Sequence, residues 1–194
     1  MLKKIFFLVL LLVTVGFSFE SGSFGLNVNS DDVEFEGRAS VSFLTGMPIY
    51  SSFFVCGNYL KADEEDLYSV GISVENSPIN YTNLVFDIGI RGLFSQHGNQ
   101  NFTALPITFG AKAQMFLGDL PPTYFGVKLK YAPEALSFED AYEYKEYRVQ
   151  VDSNVIPNIN LYAGYRNINT DYKTNSYKIN DSFYAGFKFT LDPR

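Results

Sequence analysis

The chain has one histidine, His97, and one cysteine, Cys56, which leaves little room for nucleophilic or metal chemistry. A serine hydrolase needs a hydroxyl nucleophile, an imidazole base and a carboxylate that orients the base. Ser95-Gln96-His97-Gly98 supplies the first two groups within three residues. That closeness in sequence says little about geometry in a predicted loop, so a surface histidine is the preferred reading. A lipid-modifying barrel enzyme built on His97 is the runner-up, and no catalytic residue is assigned. One histidine and one cysteine cannot form a zinc site. Without a glycine-rich phosphate loop either, neither metal nor cofactor is expected. The acidic run Asp63-Glu64-Glu65-Asp66 could hold a hard divalent cation, such as one bridging lipopolysaccharide phosphates. A solvated charged loop explains it more simply. Cys56 has no partner for an internal disulfide and reads as a small strand residue.

The ionisable residues form a more coherent set. Glu34, Glu36, Arg38, Asp87, Arg91, Lys112, Lys128, Lys130, Glu146, Arg148, Arg166 and Lys188 fall on the same face of alternating segments. Both signs are present, and basic residues predominate. If that face lines a narrow lumen, opposite charges must pair across it, because an unpaired charge away from water is costly. A structural ion-pair network that plugs the lumen is the first reading. A narrow water or solute path is the second, and an internal ligand site the third.

The elements that must position these charges are strands. In the segment Phe183–Leu191, Phe183, Ala185, Phe187, Phe189 and Leu191 lie on one face, and Tyr184, Gly186, Lys188 and Thr190 on the other. Phe86, Ile88 and Ile90 oppose Asp87, Gly89 and Arg91, and Phe125, Val127 and Leu129 oppose Gly126, Lys128 and Lys130. Ten strands are predicted, near 23–29, 33–43, 48–60, 67–76, 83–95, 104–116, 123–131, 142–152, 158–168 and 182–191, the third alternating poorly. Four short connections, Leu44–Met47, Ser77–Thr82, Leu117–Pro122 and Ser153–Pro157, carry or adjoin proline. Gln96–Thr103, Ala132–Ala141 and Asn169–Asp181 read as longer polar loops at the other end. Short periplasmic turns opposite longer external loops are the asymmetry of outer-membrane barrels. The expected fold is therefore all-β, a closed antiparallel up-and-down transmembrane β-barrel of ten strands. Eight spanning strands with an N-terminal hairpin outside the bilayer are the alternative. Lys145 and Glu143 share the lipid-facing parity of Tyr147 and Val149, so they must sit at the outer rim, or a bulge must reset the register.

The N-terminus places this barrel in an export route. Lys3 and Lys4 precede an apolar stretch, Ile5–Val15, too short to span a bilayer, and cleavage is expected after Ser18. Residues 1–18 are thus read as a signal peptide and 19–194 as one barrel domain. A net charge of -6 with no basic face argues against nucleic acid. Outer-membrane lipid and lipopolysaccharide are the expected surroundings, the barrel-assembly machinery the partner during biogenesis, and a monomer the expected state. A soluble periplasmic barrel binding an apolar ligand would require the alternation to be inverted.

Several motifs carry a family signal. Tyr131-Ala132-Pro133-Glu134-Ala135-Leu136-Ser137 is followed by Tyr144-Lys145-Glu146-Tyr147-Arg148, then Gly164-Tyr165-Arg166, then Asp181-Ser182-Phe183-Tyr184-Ala185-Gly186. Together with Gly25-Leu26 and Leu105-Pro106-Ile107-Thr108-Phe109-Gly110 upstream, this order and spacing resembles the YfaZ family of bacterial outer-membrane proteins. The resemblance implies a small outer-membrane barrel of undetermined biochemical activity and supplies no catalytic residues. One departure is the end. Phe189 is followed by Thr190-Leu191-Asp192-Pro193-Arg194 rather than closing on the aromatic residue that barrel assembly usually reads.

Overall fold

The computed structural model describes residues 21–41, 51–62, 65–78, 81, 83–116, 118 and 121–191. The expected signal peptide and its Ser18 cleavage point, the Leu44–Met47 turn, Asp63 and Glu64 of the acidic run, and Asp192–Arg194 lie outside the described residues.

Twelve strands form among the described residues: β1 (Gly22–Val28), β2 (Val33–Ser40), β3 (Ser51–Lys61), β4 (Asp66–Asn76), β5 (Leu84–His97), β6 (Gln100–Ala104), β7 (Ile107–Met115), β8 (Thr123–Ala132), β9 (Ser137–Glu139), β10 (Ala141–Ile156), β11 (Ile159–Tyr172) and β12 (Ser176–Leu191). Ten of them close a ring in the order β1-β2-β3-β4-β5-β7-β8-β10-β11-β12, with β12 returning to β1 and every pairing antiparallel. The ring leaves no long sheet edge unpaired, which matters because an unsatisfied backbone group in hydrocarbon costs several kcal/mol.

β6 and β9 stand outside the ring. β6 continues the line of β7 beyond a break at Leu105-Pro106, pairs with the upper part of β5, and carries β9 on its far side. Proline has no N–H to donate, so the ladder is interrupted at Pro106. Pro133 stops β8 in the same way and leads into a 3₁₀ turn, Glu134–Leu136.

The three segments read as long polar loops are largely strand. Gln96–Thr103 is the β5–β6 hairpin, Ala132–Ala141 holds the 3₁₀ turn and β9, and Asn169–Asp181 is mostly the ends of β11 and β12. Burial is the reason. Phe102, Ala104, Ile168, Thr170 and Tyr172 are buried, and Tyr177 and Ile179 pack against the same cluster. Alternation therefore continues past the bilayer. The turn expected at Ser153–Pro157 contracts to Pro157-Asn158, with Asn158 at φ 69°, a conformation Asn tolerates.

The exterior is apolar. Val74, Ile88, Phe109, Leu129 and Tyr147 register in one row across five neighbouring strands, and Ile72 and Leu129 are 57% and 55% exposed. Towards the long-loop end, Phe35, Tyr59, Tyr68 and Phe94 form a cross-strand aromatic row, with the Tyr59 and Tyr68 rings stacked at 4.8 Å. Tyr147, Tyr165 and Phe183 continue the aromatic contacts on the other side. An apolar band edged by aromatic rings is the surface that a membrane-spanning barrel presents. Lys145 and Glu143 pair with each other beside this edge, and the β10–β11 register shifts between Ala141 and Glu143.

Candidate functional site

The inward positions of the ring strands change character along the barrel axis. At the long-loop end they are apolar. Leu60, Leu67 and Leu93 from β3, β4 and β5 meet Phe102, Tyr144 and Ile168 in one buried cluster. Sequence parity singled out the ionisable inward positions and left these apolar ones unremarked. The alternation itself is intact, but its inward residues become Leu, Phe and Ile near the outer end.

Below the cluster lies a layer of ionised side chains. Glu34 on β2 accepts from Arg148 Nη1 and Nη2 at 2.9 and 2.6 Å. It also accepts from Arg166, from Asn58 Nδ2 at 2.7 Å and from Asn27 Nδ2 at 3.0 Å. Arg166 on β11, 0% exposed, contacts Asp32 at 2.5 Å and donates from Nε to Asn180 Oδ1 at 3.2 Å. Arg148 on β10 also pairs with Glu146 and with Glu36 at 2.6 Å. Lys130 on β8 reaches Glu146 at 2.8 Å, and the Tyr144 hydroxyl donates to the same carboxylate. β2 is three strands from β11 and four from β10 in the ring. These contacts therefore cross the interior.

Glu36 is 40% exposed at its side chain. The other members, Asp32, Glu34 and Glu146 with Lys130, Arg148 and Arg166, are buried and balance three negative against three positive charges. A charge held from water is tolerable only when paired and hydrogen-bonded, and each of these has such partners.

Of the remaining members, Asp87, Arg38, Lys112, Lys128 and Lys188 sit nearer the short-turn end, and Arg91 lies one inward step from Leu93 on β5. Arg38 contacts Glu75 at 2.5 Å and Asp87 at 3.2 Å, with its guanidinium 3.7 Å over the Phe54 ring. Lys112 lies 4.0 Å from Glu75, and Lys188 3.4 Å from Asp152. Among the described residues, Arg91 and Lys128 make no ion pair. These residues surround a cavity of about 380 Å³ that extends from Arg91 and Arg148 down to Ser21, Gly22 and Thr190 at the short-turn rim.

Tyr184, already on the face of Lys188, belongs to this interior, as do Asp32, Asn27, Asn58, Asn180 and Tyr144, which were not among the residues expected there. Asp32 was within reach, since it continues the parity of Glu34, Glu36 and Arg38 by one step. Tyr144 continues that of Glu146 and Arg148 in the same way. Tyr184 and Tyr162 lie opposite Gly164 and Gly186 in the β11–β12 register. A side chain at either glycine would meet the facing tyrosine ring, at 3.0 Å for Gly164 and 2.8 Å for Gly186.

The His97 region has a different arrangement from a hydrolase triad. His97 ends β5, its Nδ1 3.9 Å from Glu65 and its ring 4.0 Å from that of Tyr177. Ser95 Oγ donates to the Glu65 carboxylate and contacts the Asp66 carbonyl at 2.8 Å. The hydroxyl proton thus goes to an acid rather than to imidazole. Tyr172, beyond the membrane belt, donates to Glu65 at 2.9 Å; burial, then the Glu65 charge, push its phenol pKa up, so it stays a donor. Among the described residues no group of His, Cys, Asp and Glu is arranged to hold a metal ion.

In backbone shape the chain is similar to several solved barrels. One is the KdgM porin in complex with disordered oligogalacturonate, at 11% identity over 87% of this chain and 98% of that one, with a TM-score of 0.48. Another is a bacterial polysaccharide outer membrane secretin, at 10% identity over 90% of this chain and 69% of that one, TM-score 0.41. A third is OmpT of Vibrio cholerae, at 11% identity over 82% of this chain and 56% of that one, TM-score 0.39. Comparison with curated proteins gives no match. The family comparison is direct: residues 2–191 match the YfaZ precursor family, and the chain belongs to that family.

Proposed function

We propose that this protein is an outer-membrane barrel with a structural or interaction role whose interior is sealed in its outer half. The observation that carries this reading is the charge-balanced layer around Glu34 and Arg166, buried beneath the apolar cluster of Leu60, Leu93 and Phe102. A conducting lumen needs a continuous water-filled path. Here Lys130, Arg148 and Arg166 are each held by carboxylates, and the rings of Phe102 and Tyr144 lie above them.

In this reading the N-terminal segment is removed near Ser18 on export, and the short-turn end faces the periplasm. The barrel is a monomer in outer-membrane lipid and lipopolysaccharide, reached through the barrel-assembly machinery. The sheet that rises beyond the belt, formed by β6, β9 and the ends of β10–β12, is then the part offered to the outside. Catalysis plays no part. Ion conductance across planar bilayers tests the proposal. The wild-type barrel is expected to pass no steady current, and a reproducible single-channel conductance would overturn the sealed lumen.

A further inference from the structure

We infer that the inner half of the lumen is a binding site for a small oxyanion, a carboxylate or phosphate carried on a compact polar molecule. Four carboxylates line the roughly 380 Å³ cavity: Glu36, Glu75, Asp87 and Asp152. Each is already matched, by Arg148, by Arg38 and Lys112, by Arg38, and by Lys188 respectively. Arg91 and Lys128 also line the cavity, and among the described residues their side chains have no hydrogen-bonded or ion-paired partner. With Arg148 already counted in the balanced layer above, Arg38, Lys112, Lys188, Arg91 and Lys128 face the four carboxylates, a surplus of one positive charge.

Arg91 carries the argument furthest. It is 8% exposed, and its buried Nε has no hydrogen-bond partner. A buried guanidinium is costly unless an acceptor meets it, and its planar fork suits the two oxygens of a carboxylate or phosphate. The cavity beside it has room for that acceptor. Across from Arg91, Gly71 lets the β5 backbone and the Arg91 stem come close, since a Cβ there would stand 2.2 Å from the Ile90 carbonyl and 2.7 Å from Arg91 Cγ. Gly25, Gly110 and Gly126 line the cavity as well, and there the Tyr162 hydroxyl, Asp87 Cβ and Lys112 Cγ lie 3.3, 3.2 and 3.3 Å from where a Cβ would stand. The volume is that of a small-ligand pocket. The site rests on the sealed-lumen reading in one respect: a blind cup retains a ligand that a through-pore would pass.

Isothermal titration of the full-length barrel in detergent micelles with gluconate, glucose 6-phosphate and glucose tests the inference. One or both anions are expected to bind at millimolar concentrations, and neutral glucose is not. Whichever anion binds identifies the source of the oxygens. Arg91→Gln and Lys128→Gln are each expected to weaken that binding about ten-fold, the worth of one lost charge-assisted contact, while the exposed Lys178→Gln leaves it unchanged. Unfolding midpoints report whether Arg91→Gln still folds, and the half-buried Lys128→Gln decides the matter if it does not. Three results each overturn the inference: no heat from either anion, equal binding of glucose, or unweakened binding by folded Arg91→Gln and Lys128→Gln. Conductance is read separately, so a conducting barrel that binds these anions would refute the seal and leave the site standing.

Discussion

Replacing Arg166 with methionine tests whether the buried charges act as one network. Arg166 is fully buried, with Asp32 at 2.5 Å and Glu34 in contact on its two terminal nitrogens. Methionine fills much of the same volume, so the main change is electrostatic. Three buried carboxylates would face two cations, and Asp32 would keep only neutral donors such as Asn180 and Asn29. Breaking a buried pair by removing one partner costs about 3–5 kcal/mol. Asp32→Asn should cost a similar amount from the opposite side, because it leaves Arg166 in excess.

The double variant, Arg166→Met with Asp32→Asn, restores the balance, leaving Glu34 and Glu146 against Lys130 and Arg148. If the charges form a single network, its loss should fall short of the sum of the two singles by about 2–3 kcal/mol. The measurement is urea unfolding of the barrel refolded into lipid vesicles, with m-values compared so that a compactness change is not mistaken for stability. Raising the salt from low to molar concentration should hardly alter the coupling, because buried pairs are weakly screened. Additive losses within about 0.5 kcal/mol would show that Asp32 and Arg166 do not depend on each other, and the network argument would fail.

Four further outcomes are expected. Gly164→Val and Gly186→Val should not yield folded barrel, because a Cβ would stand 2.4 Å from the Val149 carbonyl and 2.3 Å from that of Leu26; band shift between heated and unheated gel samples reads this directly. Val127→Lys in the lipid belt should destabilise by about 2–4 kcal/mol and Lys145→Leu at the aromatic edge by less than about 1 kcal/mol, both read by urea unfolding in vesicles. Phe102→Ala should cost about 3–5 kcal/mol and raise hydrogen exchange in β6, β9 and the loop-end tips of β11 and β12, leaving the belt strands protected. His97→Ala should leave phospholipid and lipid A turnover at the wild-type level in a cell-envelope assay; a loss would revive the enzyme reading.

Strand number and facing were legible because a period of two is a strong constraint. Once Ile88 and Phe109 faced out, Asp87, Arg91 and Lys112 had to face in. Strand ends were not legible, because composition gives no sign of what lies beyond the bilayer. Lys173, Asn175 and Asn180 look like loop residues. Yet Tyr172, Tyr177 and Ile179 among them join or pack against a buried cluster, and pairing follows burial. The partner of each charge was also hidden. Which carboxylate Arg166 meets depends on how the strands stagger around the closed ring, and that stagger is a property of ten registers together. The apolar outer cluster was missed for a simpler reason. Leu60, Leu67 and Leu93 have the inward parity, but a leucine in an aromatic-rich strand gives no hint that it faces a core rather than lipid.

The two halves of the lumen depend on each other physically. Ion pairs gain strength only where water is kept away, and the rings of Phe102 and Tyr144 exclude it from above the Glu34 layer. The pairs in turn hold β2, β8, β10 and β11 across the barrel at one height, giving the apolar cluster a fixed floor. Below that floor the pattern reverses. A cavity opens there, and its cations outnumber its acids by one once Arg148 is counted with the layer above. A barrel needing only rigidity could fill this space with the same neutral pairs it uses above. That it instead leaves a cavity beside an unpaired guanidinium is the asymmetry that separates a plug from a receptor for anions.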